Sequence, residues 1–203
     1  MLIAVIDFKS INASYLNQLC KNNADIGKLQ LIQSCEGVNW EKCYEKFSKV
    51  KSVEIWEDDG VTDDFYSCFL KRCCHNVEKL SVSPYDESKE TCTDVQSLNF
   101  LKHLKLCDFE TCCATIHGVS NLQTLELSQP MKPIQLMELA EALKNKTFFT
   151  SLVLSGRFEG NLLDFIHKLP RLRHLTISPG LRVEGDLRLQ KILSSRGGSL
   201  KFS

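Results

Sequence analysis

Two clusters of cysteine and histidine are the most chemically reactive groups in this 203-residue chain. Both join a Cys-x4-Cys-Cys pattern to a following histidine: Cys68, Cys73, Cys74 and His75, then Cys107, Cys112, Cys113 and His117. Such side chains can hold zinc, or a histidine can activate a thiol as a nucleophile. The paired Cys-x2-Cys spacing of most zinc sites is absent, and no local nucleophile motif surrounds either cluster. We therefore interpret these cysteines as small buried side chains, and predict no metal, no cofactor and no catalytic residue.

Composition narrows the classes of function further. Lys plus Arg and Asp plus Glu each number 25, so the formal net charge is zero, which argues against a general nucleic-acid binder. Every strongly apolar stretch is soon interrupted by a charge, which predicts no membrane span. The apolar start from Met1 to Ile6 is too short for a signal-peptide core, so we expect reduced thiols and a cytoplasmic location. No glycine-rich phosphate loop or small-molecule substrate site is evident.

The elements that would position any site are set by a short apolar-x-apolar pattern that occurs nine times. Its members are Ile6-x-Phe8, Leu29-x-Leu31, Val53-x-Ile55, Leu80-x-Val82, Leu104-x-Leu106, Leu125-x-Leu127, Leu152-x-Leu154, Leu175-x-Ile177 and Leu200-x-Phe202. The steps between successive first members run from 21 to 27 residues, within the range of leucine-rich repeats. Alternation with period two predicts a strand at each position, and stacked units would pair these strands in parallel.

Between the strands the apolar period moves towards that of a helix. Pro133 can open a helix that places Leu136, Leu139 and Leu143 on one face. Thr62 can cap another, and weaker helical segments cover residues 14–21, 40–47, 161–169 and 186–193. Strands that alternate with helices imply right-handed crossovers. We predict one α/β solenoid over residues 1–203, with eight or nine repeats, a concave parallel sheet and convex helices.

One stretch has a more specific resemblance. Residues Leu139 to Gly156, LAEALKNKTFFTSLVLSG, are similar to the helix-then-strand unit of ribonuclease-inhibitor-type leucine-rich repeats. They resemble the repeats at the C-terminus of NOD-like innate immune receptors, while the less regular earlier units also look like those of F-box leucine-rich-repeat proteins. The resemblance implies a protein-binding module: a ligand-sensing or autoinhibitory region of a NOD-like receptor, or a substrate-recruiting region of a ubiquitin-ligase adaptor.

The chain also departs from this family. Three residues after the last strand leucine, where the family usually has Asn or Cys, this sequence has other residues: Ser34, Asp58, Tyr85, Phe109, Pro130, Arg157 and Gly180. Some GTPase-activating proteins of this fold use loop residues, so Arg157 keeps a GTPase activator open as a third alternative, although a solvated arginine is the interpretation we favour. Strand-like units at both ends, without polar capping repeats, lead us to expect a segment of a longer array.

The concave face is the candidate site. Outward-facing residues would form two columns across the sheet, chemically mixed in a way that suits a protein surface better than a phosphate backbone. Trp56 follows one strand and is either an exposed contact, worth on the order of 2 kcal/mol if it anchors a partner, or packed on a neighbouring loop. The residues that we predict to bind a protein partner are Glu54, Trp56, Lys79, His103, Lys105, Glu126 and His174.

Overall fold

The structure is a computed structural model. It describes residues 2–7, 26–32, 47, 50–56, 75–83, 95–96, 98–107, 116–156, 161–178 and 186–202. Two compact units divide the chain, Met1–Leu101 and Lys102–Ser203, and each is described by itself. The predicted helix after Thr62, the predicted helix at 14–21 and nearly all of that at 40–47 lie outside the described residues.

The first unit contains four strands that pair in parallel and in chain order. They are β1 (Leu2–Asp7), β2 (Ile26–Ile32), β3 (Ser52–Trp56) and β4 (Lys79–Ser83). From β2 to β4 the apolar positions lie in register, with Leu29 opposite Val53 and Val53 opposite Leu80. Val53 and Leu80 are almost fully buried, so the predicted apolar positions do face the core here.

The predicted pattern in β1 is displaced by two residues. Leu29 pairs with Ala4 and Leu31 pairs with Ile6, so Ala4-x-Ile6 takes the place that we assigned to Ile6-x-Phe8. Apolar side chains occur at every second residue along this segment, and period-two alternation selects a face of the sheet without selecting a register. The pairing is also irregular, because Leu2 lies opposite Ile26 whereas Ile3 lies opposite Lys28.

The second unit contains five parallel strands, again in chain order. They are β5 (His103–Leu106), β6 (Thr124–Leu127), β7 (Ser151–Leu154), β8 (His174–Ile177) and β9 (Ser199–Phe202). Strands β5 to β8 alternate between accessible and buried residues. Their first apolar residues are at most 2% exposed: Leu104, Leu125, Leu152 and Leu175. Burying one such side chain contributes about 1.5–3 kcal/mol, so this row is a main source of stability.

Among the residues of the second unit that the structure describes, three helices can be given with both ends. They are α1 (Pro133–Leu143), α2 (Leu162–Lys168) and α3 (Asp186–Ser195). The predicted apolar face of α1 is confirmed, since Leu136, Leu139, Ala140 and Leu143 are buried. The Asn161 side chain accepts hydrogen bonds from the amides of Leu163 and Asp164, which explains where α2 begins. Helix α1 contacts α2 and α2 contacts α3, so successive helices stack as successive strands do.

Within the second unit, two cations donate hydrogen bonds to main-chain carbonyl oxygens that lie 24 to 30 residues earlier in the chain. Lys146, just after α1, donates from Nζ to the carbonyl oxygens of His117 and Val119 at 2.8 and 3.0 Å. Arg196, just after α3, donates to the carbonyl oxygens of Ile166 and Leu169 at the end of α2 and to that of Leu172 beyond it. The carbonyl oxygens of Ile166 and Leu169 also accept from the amides of Leu169 and Leu172, so Arg196 adds a charged donor to each and matches the helix dipole. Partial burial lowers the pKa of both Lys146 and Arg196.

The observed architecture is therefore α/β, with parallel strands in chain order and helices between them, which is compatible with a repeat solenoid. A turn at Gly197–Gly198 precedes β9, with Gly197 at φ 74°. None of the helices in the described part of the chain has the length and apolar character that a bilayer crossing requires.

Candidate interaction surface

Strand register assembles two columns of accessible side chains in the second unit. One column contains the residue before each central leucine: His103, Thr124, Ser151, His174 and Ser199. The other contains the residue after it: Lys105, Glu126, Val153, Thr176 and Lys201. We call these ten residues the outward columns. Neighbouring strands lie about 4.8 Å apart, so each column is a continuous row of side chains.

Lys105 and Glu126 form the central charged pair of the outward columns. Their Cα atoms are register partners on β5 and β6, and Nζ of Lys105 lies 2.7 Å from a carboxylate oxygen of Glu126. Both side chains remain a third or more exposed, at 43% and 33%. An exposed pair of this kind contributes at most about 1 kcal/mol, so the pair leaves this part of the face nearly neutral and adds little stability.

The two predicted histidines of the second unit occupy separate places. His103 is on β5 and His174 is on β8, three strand spacings or roughly 14 Å apart, too far to share a metal ion. His174 is exposed, and its Nδ1 lies 3.2 Å from the hydroxyl oxygen of Ser199 on β9. The hydrogen bond orients the imidazole ring along the face without burying it.

The remaining three predicted residues belong to the first unit. Lys79 is exposed and lies opposite Ser52. Glu54 is partly exposed and lies opposite Ser81. Trp56 is the last residue of β3, opposite Ser83. Trp56 follows Ser52 and Glu54 at every second position of β3, so its backbone occupies an outward position. The structure does not describe its side chain, and its role as an anchor stays a prediction.

Two members of the outward columns, Ser199 and Lys201, are absent from the residues that we predicted to bind a partner. Both flank Leu200, and β9 pairs with β8 in the same register as the earlier strands. The apolar pair Leu200-x-Phe202 could have predicted them, because the residues on either side of the central leucine are accessible in β5 to β8. Lys201 is exposed, as are Arg171 and Arg173, which lie just before β8.

The cysteine–histidine clusters fall mostly outside the described residues, as does Arg157. Of their members, Cys107 is a half-buried free thiol directly after β5, and His75 and His117 are exposed. The described part of the chain contains no group of three or more side chains placed to hold a metal ion.

Comparison with known proteins gives no closer assignment. No protein-family model matches the chain. No curated protein matches it either. The interpretation of the surface therefore rests on the residues themselves.

Proposed function

We propose that this protein is a non-enzymatic protein-binding module of the leucine-rich-repeat type, whose partner contacts the outward columns. The single observation that supports this is the alternation of accessible and buried residues in β5 to β8. The central leucines of these strands are buried, while the residues on either side form an accessible surface of hydroxyls, imidazole, Val153 and both charge signs. Stacked repeats use extended surfaces of this kind to bind proteins.

The more specific proposal is the leucine-rich-repeat region of a NOD-like innate immune receptor, acting in the cytoplasm. It rests on the resemblance of residues 139–156 to one helix-then-strand unit of that family. That segment contains the end of α1, from Leu139 to Leu143, and all of β7, and Leu139, Ala140 and Leu143 are buried as the resemblance requires. The fold alone supports many functions, so the identity of the partner has to decide between this receptor and an F-box adaptor.

A substitution in the centre of the outward columns tests the site. Val153 is partly accessible, between Glu126 on β6 and Thr176 on β8, so Val153→Arg places a large charge in the middle of the surface. The matched control is Glu138→Arg, an exposed position on α1. Affinity capture from cytosol with quantitative mass spectrometry should show a partner that Val153→Arg loses at least tenfold and that Glu138→Arg retains.

The identity of that partner then tests the receptor assignment. Recovery of inflammasome-type components supports the NOD-like proposal, whereas recovery of a ubiquitin-ligase scaffold replaces it with the F-box alternative. A small GTPase whose GTP hydrolysis is accelerated by the purified chain would replace both with an enzymatic regulator. A partner that binds the two variants equally would contradict the assignment of the site.

A further inference from the structure

An exposed phenylalanine lies at the turn that leads into β7. The amide of Phe149 donates to the carbonyl oxygen of Lys146 at 3.4 Å and closes this turn. Phe149 is 2% exposed and belongs to the core, whereas Phe148 before it is 53% exposed. Strands β6 and β8 flank β7 on its two sides, so this exposure arises within the array. Since single apolar side chains are common on protein surfaces, the neighbours of Phe148 decide whether it has a role.

Two exposed arginines occupy the corresponding turn of the next repeat. The amide of Leu172 donates to the carbonyl oxygen of Leu169 at 3.1 Å, the same step along the chain as in the turn before β7. Arg171 therefore corresponds to Phe148. Leu172 is 0% exposed, while Arg171 and Arg173 on either side of it are exposed. Two residues of chain span at most about 7 Å, so the two guanidinium groups belong to one small area. We call Phe148, Arg171 and Arg173 the turn patch.

Hydrogen bonding places the two turns of the patch side by side. The amide of Arg173 donates at 2.9 Å to the carbonyl oxygen of Thr150, which is two residues after Phe148. Adjacent strands lie about 4.8 Å apart, so the aromatic ring and the two cations share one rim of the sheet. The ion pairs among the described residues involve neither arginine. In the repeat before Phe148 the corresponding positions have the uncharged residues Asn121 and Gln123.

An aromatic ring beside two uncompensated arginines has the composition of a binding surface. Aromatic residues and arginine are the types most enriched where proteins contact their partners. Guanidinium groups are weakly hydrated and form paired hydrogen bonds with carboxylates. Nucleic acid also carries anions and rings that stack, but two arginines in a chain of zero formal net charge do not make the basic stripe that follows a phosphate backbone. Carboxylates of a protein are therefore the favoured ligands.

We propose that the turn patch binds an acidic segment of a partner protein that contains one aromatic residue. The aromatic side chain packs on Phe148, and carboxylates beside it bind Arg171 and Arg173. None of these three residues belongs to the outward columns. The patch is therefore a second docking surface, and its existence does not depend on the proposed function.

A peptide titration with the purified 203-residue chain tests the proposal. The probe is the fluorescein-labelled peptide Asp-Glu-Asp-Trp-Glu-Asp-Glu with a blocked C-terminus. One counterpart has Lys in place of every acidic residue, and the other has Ala in place of Trp. We expect saturable binding of the probe, binding of the basic peptide that is about tenfold weaker or less, and binding of the Ala peptide that is about fivefold weaker.

Removal of the two arginines provides the second arm. Arg171→Ala with Arg173→Ala should weaken binding of the probe about tenfold, because the carboxylates lose their donors. The matched control, Arg188→Ala with Lys191→Ala, removes the same charge from exposed positions of α3 and should change the affinity by less than about twofold. Circular dichroism checks that both double variants are folded.

The aromatic contact is tested by a double-mutant cycle. Phe148→Ala should weaken the probe about fivefold but change the Ala peptide by less than about twofold, because that peptide already lacks the ring. The matched control is Phe100→Ala, since Phe100 is also 53% exposed and stands at the corresponding turn before β5. This control should leave both affinities unchanged.

Three outcomes would overturn the proposal: no saturable binding of the probe, equal effects of the two double variants, or equal weakening of the probe and the Ala peptide by Phe148→Ala. Tighter binding of a single-stranded oligothymidylate, lost in Arg171→Ala with Arg173→Ala, would assign the patch to nucleic acid instead. Val153→Arg leaves all three patch residues in place, so failure of the outward columns and failure of the turn patch are separate results.

Discussion

Replacing Arg196 with methionine should destabilise the end of α2, although Arg196 is thirty residues away from Ile166 in the sequence. The guanidinium donates to the carbonyl oxygen of Leu169 at 2.8 Å and, over longer distances of 3.3 to 3.4 Å, to those of Leu172 and Ile166. Methionine keeps most of the aliphatic packing of the arginine stem but removes every donor. The carbonyl oxygens of Ile166 and Leu169 then keep only the amides of Leu169 and Leu172 as donors.

The size of the stability loss follows from the single short hydrogen bond, between Arg196 and the carbonyl oxygen of Leu169. A hydrogen bond from a charged donor contributes roughly 1.5–3 kcal/mol, and the longer contacts add less. Partial burial, which lowers the pKa of Arg196, offsets some of this gain because it costs hydration of the cation. We expect a loss of about 2 kcal/mol in the free energy of unfolding. For a chain of this size that corresponds to a fall in Tm of roughly 4–8 °C.

Urea denaturation and hydrogen exchange measure this effect. The control is Lys191→Met, which removes a cation from an exposed position of the same helix α3 and should change stability by less than about 0.5 kcal/mol. Exchange of the amide protons of Ile166 to Leu172 should accelerate in Arg196→Met alone, because the loss is local. Arg196→Lys should recover part of the stability, since it restores a charge but cannot reach three carbonyls. If Arg196→Met and Lys191→Met are equally stable, the cation does not anchor α2.

Two further changes probe the packing between successive repeats of the second unit. Lys146 has a pKa lowered by burial, so the unfolded chain binds more protons between the two pKa values, and stability should increase as pH rises through that window towards about 10.4. The stability of the wild type relative to Lys146→Met should therefore increase as pH rises towards about 10.4 in urea titrations, and a difference that does not change with pH would contradict this. A Cβ on Gly198 would lie 1.9 Å from the carbonyl oxygen of Arg173, so Gly198→Ala should cost about 1–3 kcal/mol and expose the Ser199 amide to exchange. Gly197→Asn is the control, because a Cβ at Gly197 would have no atom within 4 Å and the position requires only a positive φ. If the Ser199 amide exchanged equally fast in both variants, the close approach of the two backbones at Gly198 would be unimportant.

The strands were predictable because a single physical requirement sets them. Each repeat has one apolar edge that only the next repeat can bury, so the alternation around Leu125 or Leu175 had to recur at a nearly constant step. The helix that begins at Pro133 was predictable for a similar reason, since its buried face has the helical period. The error in β1 has the complementary cause: several apolar residues at alternate positions left the register undetermined.

The contacts of Lys146 and Arg196 were not predictable in the same way. A single cation after a helix resembles any solvated surface residue, and its acceptors are main-chain carbonyls that every sequence possesses. The spacing to the following strand does not help, because Lys146 precedes Leu152 by six residues and Arg196 precedes Leu200 by four. Only the three-dimensional stacking of helix ends brings these groups together.

Adjacency within the candidate surface was predictable, whereas its binding preference was not. Lys105 and Glu126 are one repeat apart and therefore had to be neighbours, and the structure places them in contact. That contact also neutralises the most charged part of the predicted surface. The positive charge that remains in the second unit lies towards β8 and β9, on exposed residues such as Arg173 and Lys201.

Outward residues can change without loss of the fold, because an exposed ion pair adds at most about 1 kcal/mol whereas each buried leucine adds more. The repeating pattern therefore specifies the scaffold and says little about the partner. What distinguishes one such surface from another is the charge that its own neighbours leave uncompensated. In the second unit that charge is positive, on exposed residues such as Arg173 and Lys201. A partner surface with acidic residues would complement it, so we expect the part of the outward columns on β8 and β9 to determine selectivity.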